Sequence, residues 1–334
     1  MVVKMVKSKN EIILEIKSLK KYFDVTEGWL NKNRKYLHAV DGINLTIKRG
    51  ETLGIVGESG CGKSTLGNVI MNLLEPTEGQ IIFDSVDLST LSKEELRKKR
   101  IDMQMVFQDP YSSLNPRMRV IDIIAEPLRT HQVAVGAKLE QIVYDLMDAV
   151  GIDKRYSLRY PHEFSCGQRQ RIGIARALAL KPKLILCDEP VSSLDVSIQA
   201  QILNLLVKLQ KEFNLTYIFI AHGLPVVKHI SDRIAVMYMG KVMELAPKEK
   251  LFLKPLHPYT DCLLASIPIS DPTYRKKARS VSLTGELPSQ VNPPEGCRFH
   301  TRCPFAVEKC QSEEPKLVEY SEEHYVACHY PLQN

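Results

Sequence analysis

No uninterrupted apolar stretch in these 334 residues approaches the roughly 18 that a membrane-spanning helix requires. Met1–Asn10 lack the apolar core of a secretory signal peptide. Both absences predict a chain that stays in the cytoplasm and works at a membrane only through partners. A strong charge of one sign is also lacking. The formal net charge is +6, a mild basic excess spread along the chain that permits nucleic acid without calling for it. The eight cysteines include no Cys-x₂-Cys pair of the kind common in zinc sites. What is present is ordinary for a globular protein: 44% apolar and 25% charged residues, in a chain long enough for two or three compact units.

One stretch organises the rest. Thr52-Leu53-Gly54-Ile55-Val56 reads as a buried strand and Leu66 to Leu74 as a helix. Between them lies Gly57-Glu58-Ser59-Gly60-Cys61-Gly62-Lys63-Ser64-Thr65. Gly57, Gly62, Lys63 and Ser64 fill the phosphate-loop pattern, in which backbone N–H groups curl around a polyphosphate at a helix N-terminus. Lys63 is expected to reach the outer phosphates and the Ser64 hydroxyl to take a Mg²⁺ position.

Glu11 to Ile16, then Ile43, Leu45 and Ile47, alternate as half-buried strands do, which predicts an antiparallel sheet. Between them, Tyr22 and Phe23 are candidates to stack on a nucleotide base, with ordinary packing the alternative. Ile81-Ile82-Phe83 and Met103 to Phe107 are further strands, the latter stopping at Gln108. From Tyr111 to about Pro161 helical periodicity takes over, in Ile121 to Leu128 and Leu139 to Val150. Ser165 with Gln168 three residues on predicts a capped helix running to about Leu180. Leu184 to Cys187 is a continuous apolar run of the kind found in parallel sheets, and it ends in Asp188-Glu189. One carboxylate there can hold Mg²⁺ while the next orients or deprotonates a water. Tyr217 to Ala221 repeats the design and ends at His222.

In order and spacing these residues resemble the ATP-binding subunits of ABC transporters over Leu14 to about Glu244. Lys63 and Ser64 match Walker A, Gln108 the Q-loop, Phe164 to Gln168 the signature, Asp188 and Glu189 Walker B, Asp195 the D-loop and His222 the switch histidine. The stretches from Gly57 to Thr65, Gln108 to Arg117, Asp188 to Ser197 and His257 to Thr260, with the C-terminal cysteines, resemble the dipeptide and oligopeptide importer branch, its F-type ATPase subunit in particular. The resemblance implies a P-loop α/β core with an antiparallel β-subdomain, a helical subdomain over about 109–180 and a small cysteine-rich, metal-stapled extension. The core is expected over 11–269 and the extension over 270–334, entered by a linker from Ser270 to Glu295.

The resemblance also implies a function: ATP hydrolysis energising peptide import from the cytoplasmic face of the membrane. The partners it implies are a paralogous ATPase subunit or a second copy, two membrane permease subunits and an external peptide-binding protein, without nucleic acid. ATP would lie between one subunit's Walker A loop (Gly57 to Thr65) and the partner's signature, here Ser165, Cys166, Gly167 and Gln168 with Asp195. Glu189 would activate water, His222 contact the terminal phosphate, Ser64, Gln108 and Asp188 hold Mg²⁺, and Phe23, or else Tyr22, stack on adenine. An importer of nickel or another metal chelate, or an ABC ATPase not coupled to transport, is the alternative. Two positions depart from the family pattern: Cys166 stands at the first signature glycine, and Gly223 follows His222 where the family usually has Asp. Cys166 predicts two unequal ATP sites through a crowded, less adaptable signature.

The tail reads Cys297-x₅-Cys303-x₆-Cys310-x₁₇-Cys328. So short a segment builds little core, and four thiolates fit tetrahedral Zn²⁺ or a [4Fe–4S] cluster. Its spacing is similar to the cluster-binding tail of dipeptide-transporter ATPases, which favours [4Fe–4S], with Zn²⁺ the alternative and a disulfide disfavoured in a reducing compartment.

Overall fold

The alternation that opens the chain extends further than the sequence indicates. In the computed structural model, which describes residues 11–26, 34–267 and 288–333, the first strand β1 runs Ile12–Asp24. Met1–Asn10 and the linker as far as residue 287 lie outside the described residues. The chain divides into two compact units. A P-loop unit comprises Leu14–Ile47, Leu53–Asp87 and the chain from Ala221 onward; a helical unit comprises Lys48–Thr52 and Leu88–Ile220, with the chain up to Ile13.

In the P-loop unit, β2 (Tyr36–Lys48) follows β1, then β3 (Thr52–Val56), α1 (Lys63–Ile70), β4 (Glu78–Phe83) and β5 (Val86–Asp87). β1 pairs antiparallel with β4, and β4 with β5, in a four-stranded sheet of order β2-β1-β4-β5, the antiparallel layer expected from the sequence. Its inward residues, among them Leu14, Ile16, Ile43, Leu45 and Phe83, are buried. The β1–β4 register slips between Lys17 and Lys20, where Ser18 takes φ 46°; this bulge re-aims the strand towards Tyr22.

The helical unit continues with α2 (Lys93–Lys99), β6 (Met103–Val106), α3 (Val120–Thr130), α4 (Gly136–Ala149), α5 (Cys166–Leu178), β7 (Leu184–Asp188), α6 (Val196–Phe213) and β8 (Thr216–Ile220). β6, β7 and β8 pair in parallel, and every residue of β7 and β8 is buried, which is why both read as unbroken apolar runs. α3, α4 and α5 pack on one another through faces that include Ile123, Val143 and Ile172.

The chain then returns to the P-loop unit through α7 (Leu224–Ile230), β9 (Arg233–Tyr238), β10 (Lys241–Pro247), α8 (Lys248–Leu253) and α9 (Pro258–Ala265). The tail adds α10 (Glu308–Ser312), β11 (Val318–Ser321) and β12 (His324–Val326). β9 lies parallel to β3, β10 antiparallel to β9, and β12 joins β10 with Glu244 opposite Val326. The Glu244 carboxylate is 0% exposed, yet it accepts bonds from the backbone N–H groups of Leu256 (2.8 Å) and His257 (3.0 Å) and from His324 Nε2 (2.7 Å). Three donors offset its desolvation and lock α9 and the tail onto β10.

Candidate functional site

The phosphate loop leaves β3 through a passage only glycine fits. A Cβ on Gly57 would stand 2.1 Å from Met237 O, and one on Gly62, which has φ 103°, would stand 2.0 Å from Ala39 O. Gly62 is also the N-cap of α1 and, having no side chain, supplies no side-chain cap to the helix start. Lys63 is 4% exposed, and its ammonium donates to Gly57 O (2.8 Å) and Glu58 O (3.0 Å), with Cys61 Sγ at 3.8 Å. The loop is therefore curled round its own lysine. Ser64 and Thr65 sit in the first turn of α1, half-buried, while Ser59 and Gly60 form the exposed crest. Burial pushes the Cys61 thiol up from its ordinary value.

His222 follows β8, and Ala221 N donates to Ile55 O (3.1 Å). That bond holds the histidine beside the end of β3, so that His222, Gly223 and Gly57 line one pocket. The two aromatic candidates part company. The Tyr22 ring lies 4.1 Å from the His38 ring, and its hydroxyl donates to Asp41, an acid also paired with Lys241 and Arg298. Burial and that hydrogen bond push the Tyr22 phenol well up. Phe23 is half-buried, with the Lys21 ammonium 5.2 Å from its ring centroid.

In the helical unit, the Gln108 amide donates to Glu189 Oε2 at 2.6 Å, joining the Q-loop position to Walker B. Glu189 is 4% exposed and takes φ 47° directly after β7, a left-handed conformation held by Glu189 N donating to Ile220 O and by Ser192 bonding Glu189 O. Such strain in a non-glycine residue clusters at functional positions. Asp188, the last residue of β7, is also buried. The capping box predicted at the signature is present: Ser165 Oγ accepts from Gln168 N and Gln168 Oε1 accepts from Ser165 N. Cys166 is the first residue of α5 and has no positive φ, so the feared backbone restriction is absent; only its side chain distinguishes it from glycine. Gly167 cannot be enlarged freely, since a Cβ would stand 2.5 Å from Ile198. Asp195 is the exposed N-cap of α6.

The tail supplies residues that no local signal reveals. Arg302 forks onto Glu58 with bonds of 2.8 and 3.1 Å, and Gln290 Nε2 donates to Gly60 O at 2.6 Å; from α9 rather than the tail, the Tyr259 hydroxyl accepts from Glu58 N at 3.0 Å.

Cys297, Cys303, Cys310 and Cys328 line one pocket with His257 and Phe299. All eight cysteines are free thiols. Burial pushes Cys297 up to about 11 and Cys328 to about 12. Among the described residues no group of three or more His, Cys, Asp or Glu side chains is disposed to hold a metal ion. The expected [4Fe–4S] cluster, and Zn²⁺ as its alternative, therefore gain no support as the staple of the tail. The tail is fastened instead by β12 on β10, by Glu244, and by the Phe299 ring, which is buried among Tyr238, Tyr259 and His257.

The family profile described as ABC transporter matches residues 40–192, and that of the oligopeptide/dipeptide transporter C-terminal region matches 243–310. The oligopeptide transport ATP-binding protein AppF of Bacillus subtilis is 54% identical over 326 residues, which are 97% of this chain and 99% of the relative. The chain belongs to the ABC transporter ATP-binding family. The oligopeptide transport ATP-binding protein OppF of Salmonella typhimurium, another member, is 51% identical over 321 residues, 95% of this chain and 96% of its own. An ATP-binding cassette solved as a post-hydrolysis dimer with ADP and phosphate superposes with a TM-score of 0.63 and 31% identity, covering 70% of this chain and 98% of that one. The fold is that of the ABC ATPases. Among the described residues, no helix is long and apolar enough to cross a membrane.

Proposed function

We propose that this chain binds and hydrolyses ATP to energise import of oligopeptides or dipeptides by an ABC transporter. The observation that carries this reading is end-to-end identity with oligopeptide transport ATP-binding proteins, 54% over 97% of the chain. Lys63 and the loop N–H groups hold the phosphates. Oxygens of Ser64, Asp188 and Gln108 are the hard donors Mg²⁺ prefers, and the ion, when bound, neutralises developing phosphate charge. Glu189 takes a proton from the attacking water as its oxygen bonds to the terminal phosphorus, and the bridging P–O bond breaks to leave ADP and phosphate. The Gln108 amide orients Glu189, and His222 donates to the terminal phosphate. Phe23 stacks on adenine, because Tyr22 is engaged with His38 and Asp41.

Residues 11–269 form the ATPase core in this reading and 270–334 its extension. The partners are a second ATPase subunit, paralogous or identical, whose nucleotide meets this chain's Ser165–Gln168 and Asp195, and two integral membrane permease subunits, which this chain engages from the cytoplasmic face and which an external peptide-binding protein feeds. Four soft thiols line one pocket, a donor set that fits either a [4Fe–4S] cluster or Zn²⁺, and on the spacing of the tail we retain the cluster for Cys297, Cys303, Cys310 and Cys328, with Zn²⁺ the alternative. Reconstituted with its permease and binding-protein partners in vesicles, the chain should drive ATP-dependent peptide uptake that Lys63→Ala abolishes; ATP hydrolysis indifferent to permease and peptide would overturn the importer reading. Anaerobic purification with iron analysis tests the cluster: about four irons per chain support it, and an iron-free protein overturns it.

A further inference from the structure

We propose that the C-terminal tail is a brace for the phosphate loop, with Arg302 a positioning residue for ATP that acts through Glu58. The proposal rests on the ATPase reading above. Arg302 and Glu58 meet in a two-pronged ion pair whose side chains are only 7% and 18% exposed. A guanidinium fork fixes a carboxylate in direction as well as distance, which a lysine cannot do. Glu58 matters because its own carbonyl oxygen accepts from Lys63 Nζ at 3.0 Å. Whatever fixes Glu58 therefore fixes part of the seat of the lysine that meets the phosphates.

Two further groups grip the same loop. Gln290 Nε2 donates to Gly60 O and itself lies beside β2, where His38 N donates to Gln290 O at 3.0 Å. The Tyr259 hydroxyl accepts from Glu58 N, and its ring is buried against Tyr238 and the tail residue Phe299. The far flank of the loop is held by Gly240 N donating to Cys61 O at 2.9 Å. A loop containing Gly57, Gly60 and Gly62 loses much conformational entropy when it closes round a phosphate. A loop already held at Glu58 and Gly60 loses less, and the difference appears as nucleotide affinity.

The test uses the full chain for nucleotide binding, with a fluorescent ATP analogue and Mg²⁺ as the probe, and the reconstituted transporter for kcat and KM. Arg302→Ala is expected to weaken binding and raise KM about tenfold, the scale of a hydrogen bond to a charged group, with kcat within about twofold. Arg302→Lys should recover part of the loss, and the exchange Glu58→Arg with Arg302→Glu more than either single change. Thermal melting separates a folding defect. Should Arg302→Ala not fold, Glu58→Gln and Gln290→Ala decide, and each should raise KM several-fold with little change in kcat. A wild-type chain that binds while the folded variants match it in affinity overturns the brace and leaves a mere anchor for the tail. A wild-type chain that binds no nucleotide overturns the ATPase reading, and the brace with it.

Discussion

Glu189 combines burial, a left-handed backbone and a 2.6 Å bond from Gln108, and each has a chemical use. Burial shields the carboxylate from bulk water, the strained turn aims it off the end of β7, and the amide selects one rotamer. Glu189→Gln should lower kcat by about 10²- to 10³-fold while nucleotide still binds; retained turnover would move the base elsewhere. The sequence displayed this acid through its place after an apolar strand, but not its backbone strain, which depends on bonds to Ile220 and Ser192. Cys166 teaches the converse. Its backbone is ordinary for α5, so any defect it causes at a partner's nucleotide is one of side-chain bulk. Cys166→Gly is expected to raise the ATPase rate of the assembled transporter, and Cys166→Ala to raise it in part. Unchanged rates in both would end the idea of unequal sites.

At the scale of elements, what could be read locally was read. β3 and β7 are short apolar runs between turn signals, and the capping box at Ser165 is written in two residues three apart. Ser165→Ala should cost about 1 kcal/mol of stability, checked by urea unfolding, and should weaken any nucleotide contact at the start of α5 besides. Elements whose cause is remote were not legible. The expected helix after the phosphate loop began at Leu66, whereas α1 begins at Lys63, because Gly62 and its close approach to Ala39 set the start. β1 runs past Ile16 because the bulge at Ser18 restores pairing with β4 after the alternation breaks. β12, three residues long, exists through β10 and Glu244, some 80 residues earlier. The grip of Arg302 on Glu58 spans 244 residues, a separation that leaves no trace in any local pattern.

For the molecule as a whole, the junction of β10, α9 and the tail makes stability depend on pH. His257 is 1% exposed; its Nδ1 accepts from Tyr259 N and its ring lies 5.8 Å from that of Phe299. Burial pushes its pKa down from 6.5 to about 4, against the opposing pull of Glu244. A neutral imidazole is therefore part of the fold. As pH falls below 6.5 the unfolded chain takes up a proton at this position, and the folded chain does not until about 4. The unfolded state binds more protons in that window, so stability falls as pH falls. Between pH 7.5 and pH 5 the loss from this one group is about 2 kcal/mol. Urea unfolding at the two pH values measures it, with His257→Gln as the control. The variant should be less stable at pH 7.5, having lost the fitted ring, but should show a pH slope shallower by that amount. Equal slopes in the two proteins would mean that the acid sensitivity of the junction does not belong to His257.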